Sequence, residues 1–286
     1  MRPRFVDIDW AERRVRLEVA WVGPGGGEGE ASAPLMVFLH EGLGSVAMWR
    51  DFPQRLCTEL GLRGLVYSRP GYGQSTPRAP GERWQTDFMH RQAFEVLPAL
   101  LEALAIDPRR TPLWLYGHSD GGSIALLYAA RCATASPGLP LAGAVVAAPH
   151  ILVEDISVRS IEAARRAYLD TNLRQRLARY HDDPDSAFWG WNDIWLDPAF
   201  RQWSIEAEVG KIACPVLALQ GVEDEYGTLE QIRGIARCHA GTRLVELPAC
   251  GHSPHRDQPD GVIHAVRGFL TALGHTSKAS LHAQLT

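Results

Sequence analysis

Long apolar runs are missing from this 286-residue sequence. None extends beyond about eight residues, far short of the ~20 that a bilayer-spanning helix needs. An excess of one charge is missing too. Twenty-nine basic residues against 33 acidic ones leave a net charge of −4, with no basic stripe to track nucleic acid or an anionic membrane surface. Cysteine is sparse: Cys57, Cys132, Cys214, Cys238 and Cys250 are an odd number without close pairing. Acids stand in residues 1–10 where a secretory leader would need an apolar core. Together these features predict reduced thiols and a cytoplasmic protein. No internal repeat or low-complexity segment is evident. With 45% hydrophobic and 22% charged residues the composition is globular, which excludes disorder and collagen-like structure.

Alternation over residues 15–21 predicts a half-buried edge strand, and the glycine-rich stretch 23–30 a flexible hairpin loop. Short unbroken apolar runs follow at 35–39, 65–67, 113–116, 142–148, 215–219 and 244–247. Continuous runs suit strands buried on both faces, as in a parallel sheet covered by helices. Helical patterns at 89–105, 119–132, 229–238 and 259–273 lie between them. The alternation predicts an α/β fold: a doubly wound, mostly parallel sheet. One interval, 150–207, has helical patterns such as 157–177 and no convincing strand. It holds Trp189, Trp191, Trp195 and Trp203 with Phe188 and Phe200. Such an aromatic-rich helical insertion resembles a lid over a pocket, with Trp189, Trp191 and Trp195 as candidate substrate-binding rings, although rings of this area also form cores. The expected division is a core of residues 1–149 and 208–275, a lid at 150–207, and a disordered polar tail at 276–286.

Chemistry concentrates at Gly117-His118-Ser119-Asp120-Gly121, placed between a buried strand and a helix. A sharp strand-to-helix turn would project the Ser119 hydroxyl above the sheet edge, and the two glycines leave room for it. A serine hydroxyl is a poor nucleophile without a base, and the base needs an acid to hold its tautomer. In this arrangement the chain order is serine, acid, histidine. Asp224 ends the strand run at 215–219 and its acidic turn, flanked by Glu223 and Glu225, which as turn neighbours are expected to be solvated. His252 follows the glycine after the last strand, and both positions are strand C-termini, where open α/β sheets place their sites. His255 reads as a surface residue. A zinc site of Cys250, His252 and His255 lacks a fourth ligand at familiar spacing.

Hydrolysis at a carbonyl also needs donors aimed at the developing oxyanion. One backbone N–H should come from Asp120, the residue after the nucleophile. The other should come from the loop His40-Glu41-Gly42-Leu43-Gly44-Ser45.

On these motifs, with Gly71-Tyr-Gly-Gln-Ser75, residues 13–273 resemble the α/β-hydrolase superfamily, serine esterase branch. The family's usual His-Gly-x-Pro loop is altered here, with Glu41 in the first glycine's place and Leu43 in the proline's. The resemblance implies Gly42 as the second oxyanion donor, with Leu43 as the alternative. Asp120 stands where the family often carries a neutral residue. It either complements the helix N-terminus, worth about 0.3–1 kcal/mol, or binds a substrate ammonium. In the second role the Ser-Asp-Gly-Gly run is similar to that of valacyclovir-hydrolase-type amino-acid-ester hydrolases.

The reading is a serine hydrolase of small carboxylic esters, with amides and thioesters open to the same acyl-enzyme chemistry. No metal or organic cofactor is implied. A carbon–carbon bond hydrolase of dienoic ring-fission products is the nearest alternative, and a ligand receptor on the same scaffold is another. Acyl and alcohol preference, like oligomeric state, is not written in the motifs.

Overall fold

The computed structural model describes residues 3–24, 33–136 and 138–275. Eight strands form one sheet: β1 (Arg4–Trp10), β2 (Arg13–Val22), β3 (Leu35–Leu39), β4 (Arg63–Tyr67), β5 (Leu113–His118), β6 (Gly143–Ala147), β7 (Val216–Gly221) and β8 (Thr242–Leu247). Their spatial order is β1-β2-β4-β3-β5-β6-β7-β8. β2 is antiparallel to both β1 and β4, and the other pairs are parallel. This is the expected doubly wound, mostly parallel sheet.

Two local expectations need correction. The strand at 15–21 is not an edge, because β1 covers it: Val6, Ile8 and Trp10 alternate with outward-facing neighbours and pair with β2 in full register. β2 and β3 are not sheet neighbours as a hairpin would require, since β4 lies between them. Residues 25–32 and 276–286, including the expected tail, fall outside the described residues.

The central strands are buried on both faces, which is why their sequence runs are unbroken. Leu35, Val37, Leu113, Leu115, Val216 and Ala218 enter one core; Met36, Phe38, Trp114, Tyr116, Leu217 and Leu219 enter the other. Helices α1 (Phe52–Leu60) and α11 (Pro259–Ala272) cover the second face. The first face receives α2 (Phe88–Arg91), α3 (Leu97–Ala103), α4 (Asp120–Thr134) and α9 (Glu230–Cys238). Between α2 and α3 the helix widens into a π turn at Gln92–Val96. Pro98 follows it; a proline ring clashes with the carbonyl four residues back, here that of Phe94, and the wider turn relieves that crowding. The short α10 (Pro254–Asp257) precedes α11.

Between β6 and β7 the chain forms α5 (Asp155–Asp170), α6 (Leu173–Leu177), α7 (Pro184–Trp195), a 3₁₀ turn (Pro198–Gln202) and α8 (Glu206–Val209). The ends of this excursion meet: Leu152 bridges Ser204, and Ile205 N–H donates to the Ile151 carbonyl at 2.8 Å. Helix α7 starts where Asp183 accepts from Ser186 N–H at 2.8 Å and Pro184 supplies a preset first turn. Among the described residues no helix is long and apolar enough to cross a membrane.

Candidate active site

β5 delivers Ser119 to the top of the sheet in a strained turn. Ser119 has φ 53° and ψ −121°, outside the regions an L-residue normally occupies. The turn closes only because its flanking positions lack side chains. A Cβ on Gly117 would lie 2.2 Å from the Gly121 carbonyl oxygen, and one on Gly121 would lie 2.0 Å from that of Leu39. The second contact also brings the loop after β3 against the start of α4.

Three side chains from separate strand ends converge there. His252 Nε2 lies 3.0 Å from Ser119 Oγ, and His252 Nδ1 lies 2.8 and 3.0 Å from the two oxygens of Asp224. A carboxylate only accepts, so Nδ1 carries the ring proton and Nε2 is left to accept from the serine hydroxyl. Asp224 is itself oriented: Tyr226 N–H donates to Oδ1 at 2.8 Å and Gln220 Nε2 donates to Oδ2 at 3.1 Å. Burial pushes the Asp224 carboxyl up, but the His252 contact and the Tyr226 N–H outweigh it and hold it below the usual range. Burial likewise disfavours the His252 imidazolium, yet Asp224, with Glu225 and Glu41 beyond it, raises the ring above its ordinary value. Glu223 and Glu225 are exposed, as expected of turn neighbours. His255 is not a surface residue: it is buried against Trp49, Phe52 and His118.

A cavity of about 110 Å³ opens over Ser119. Gly42, Leu43, Asp120, Trp191 and Trp195 are among its walls. The Asp120 N–H belongs to the first turn of α4, where no carbonyl of its own helix can reach it. Gly42 is tightly covered, since a Cβ there would lie 2.2 Å from Trp191 Nε1. The loop holding it is pinned from behind. His40 Nδ1 donates to the Glu41 carbonyl at 2.7 Å, His40 Nε2 accepts from Arg69 N–H at 3.0 Å, and His181 Nε2 donates to the Leu43 carbonyl at 3.0 Å.

The tryptophans divide by helical phase. Trp191 and Trp195 are four residues apart on one face of α7 and border the cavity. Trp189 does not: two residues from Trp191, it points about 200° away and packs on Tyr168, Phe188 and the Arg165 guanidinium. The other rings are packing material. Phe200 and Trp203 stack on each other behind Trp195, and Phe200 meets Phe88 of the core.

The Asp120 carboxylate is not a vacant counter-charge for an ammonium. Its side chain is 1% exposed, its Oδ1 accepts from Trp195 Nε1 at 3.1 Å, and Arg69 Nη2 lies 3.7 Å from Oδ2. Burial raises its pKa while Arg69 and the indole partly offset that. The contact with Arg69 joins two segments that nothing in local sequence pattern associates.

Sequence reasoning did not single out His150, Ile161 and Tyr226, which also line the cavity. His150 follows β6, a strand end where sites gather, and burial pushes its imidazole down to about 3, so it stays neutral. Tyr226 lies two residues beyond Asp224, its ring 4.7 Å from that of His252.

The chain belongs to the alpha/beta hydrolase family, whose family model matches residues 36–265. It is 24% identical over 273 residues to the sn-1-specific diacylglycerol lipase ABHD11 of Mus musculus, covering 85% of this chain and 83% of the lipase. Among solved structures it is similar to a thermophilic esterase from Thermogutta terrifontis, with TM-score 0.69 and 19% identity over 96% of this chain and 100% of that one. A carboxylesterase structure from Nitrososphaera gargenis gives TM-score 0.73 at 15% identity, over 94% of this chain and 98% of the other. At such identities these two likenesses concern the fold alone.

Proposed function

We infer that the protein is a serine hydrolase cleaving carboxylic esters of small molecules through an acyl-enzyme. The observation that carries this reading is the continuous contact from Ser119 Oγ through His252 to Asp224, at 3.0 and 2.8 Å, opening on a cavity. Ser119 attacks the carbonyl carbon while His252 Nε2 takes its proton; the same proton passes to the departing alkoxide. Asp224 holds the tautomer and favours the imidazolium. The N–H groups of Asp120 and Gly42 are the assigned oxyanion donors. His252 then deprotonates a water, which attacks the acyl-enzyme carbonyl and frees Ser119 and the acid. In this reading residues 150–207 act as a lid, and Trp191 and Trp195 contact the substrate. Five unpaired cysteines fit a reducing compartment and support a cytoplasmic location.

The test is turnover of p-nitrophenyl esters of graded acyl length, followed to many equivalents of enzyme. Sustained turnover that falls by at least ~10³ in kcat for Ser119→Ala, with the fold intact, is expected. Turnover retained by Ser119→Ala contradicts the assignment, and saturable ligand binding without turnover would favour a receptor.

A further inference from the structure

The main chain of His252 is held at both of its polar atoms by side chains from elsewhere. Its N–H donates to Glu225 Oε2 at 3.2 Å, and its carbonyl accepts from His118 Nε2 at 2.7 Å. His118 is the last residue of β5, immediately before Ser119. Its other nitrogen, Nδ1, faces Glu41 Oε2 at 3.5 Å, with His118 1% and Glu41 15% exposed. Arg256 Nη2, from α10, donates to Glu41 Oε1 at 3.3 Å and to the Met48 carbonyl at 3.1 Å. Glu41 is fixed at its other end too, since its carbonyl accepts from Arg69 Nη2 at 2.8 Å. The residue that departs from the family's loop pattern is therefore the meeting point of the loop after β3, the end of β5 and α10.

A carbonyl cannot donate, so His118 Nε2 carries the proton in its bond to His252. The Nδ1 of His118 lies against the Glu41 carboxylate, which Arg256 fixes from the other side. Glu41 then holds His118, and His118 holds the loop that carries the imidazole. We propose that Glu41, acting through His118, is a positioning residue that sets the His252 ring against Ser119. The inference rests on the triad reading above. It gains support from the charge of Glu41. Burial opposes that charge, but His118 and Arg256 hold the carboxyl well below the usual range, so the site keeps it as an anion. The groups around His252 are Asp224, Glu225 and Tyr226 after β7, His118 on β5, His150 after β6, Glu41 after β3, and His255 with Arg256 on α10. Three of them are carboxylates, and each favours the imidazolium that forms when Ser119 gives up its proton.

The experiment is p-nitrophenyl acetate hydrolysis from pH 5 to 9 by the native protein, Glu41→Gln, His118→Gln and His118→Leu. Melting temperature and fluorophosphonate labelling of Ser119 are read on the same samples. Glu41→Gln should lower kcat about tenfold with KM within about twofold, because a displaced general base loses rate rather than binding. Its acidic limb in kcat/KM should move to lower pH by at least ~0.3 unit, since one anion no longer supports the imidazolium. His118→Gln, whose amide can still donate to the His252 carbonyl, should keep more kcat than His118→Leu. Native kcat and an unmoved limb in Glu41→Gln overturn the inference. A loss that merely follows the folded fraction, with the limb in place, does so as well. Absence of turnover and labelling in the native protein instead refutes the hydrolase reading itself, and this inference with it.

Discussion

Replacing Asp120 by asparagine separates two uses of a carboxylate beside the proposed nucleophile Ser119. The substitution keeps shape, keeps an oxygen for the Trp195 indole and keeps the backbone N–H assigned to the oxyanion. It removes the charge that faces Arg69 and puts an amide donor in place of that oxygen. Both side chains of that pair are out of water, at 0% and 1% exposure, so solvent cannot replace the lost partner. Removing one member of a buried pair costs about 3–5 kcal/mol. Arg69 would retain the Glu41 carbonyl at 2.8 Å and the Tyr72 ring at 4.6 Å, which places the loss near the lower end, about 3 kcal/mol. At roughly 2 °C per kcal/mol for a chain of this size, the melting temperature should fall by about 6 °C. Arg69→Met added to Asp120→Asn should recover part of the loss, because the double variant no longer buries an unpaired charge. The paired assay compares kcat/KM for an aminoacyl ester and its des-amino analogue. The buried-pair account predicts similar values for both esters, in the native protein and in Asp120→Asn. Amine recognition predicts a native preference of roughly 30-fold or more that the substitution erases. A preference of that size, lost with no change in melting temperature, would refute the argument from burial.

Two further outcomes follow from the site's geometry. Gly42→Ala should lower kcat/KM at least ~10-fold, because its Cβ would fall 2.2 Å from Trp191 Nε1 and force the ring or the loop to move; if the loop is what moves, adding Trp191→Ala should restore much of the rate. The acidic limb of kcat/KM should lie above the ordinary imidazole value of about 6.5. The proposed general base works unprotonated, and a raised pKa keeps His252 protonated to higher pH, so rate should be lost as pH falls through the raised value. Asp224→Asn should shift that limb down and cost more kcat than Glu223→Gln or Glu225→Gln; equal losses in all three would move the acid elsewhere.

Much of this arrangement is legible in the sequence, and the reasons are local. Strands β3, β5, β6 and β7 announce themselves because burial on both faces leaves unbroken apolar runs, and Gly117 and Gly121 mark a turn that tolerates no side chain. β1 carries a period-two signal in Val6, Ile8 and Trp10, but the run is short and interrupted by Asp7 and Asp9. The assumed edge and hairpin at β2 failed because sheet order is a tertiary property: β4 inserts between β2 and β3 from forty residues away. Composition groups Trp189 with Trp191 and Trp195, although helical phase alone separates it. The contacts that orient the site, His118 to the His252 carbonyl, Glu41 to Arg256 and Asp120 to Arg69, join residues from separate segments and leave no spacing to find. Polar side chains buried from several strand ends become interpretable only once their partners are in view.

If Ser119 is the nucleophile, a fluorophosphonate should phosphonylate it, and mass spectrometry of the treated and digested protein reads which residue carries the adduct. One adduct per chain is expected, on the peptide carrying Ser119, formed at a rate that falls in Asp224→Asn and absent in Ser119→Ala. An adduct on another residue, or labelling that survives Ser119→Ala, would contradict it.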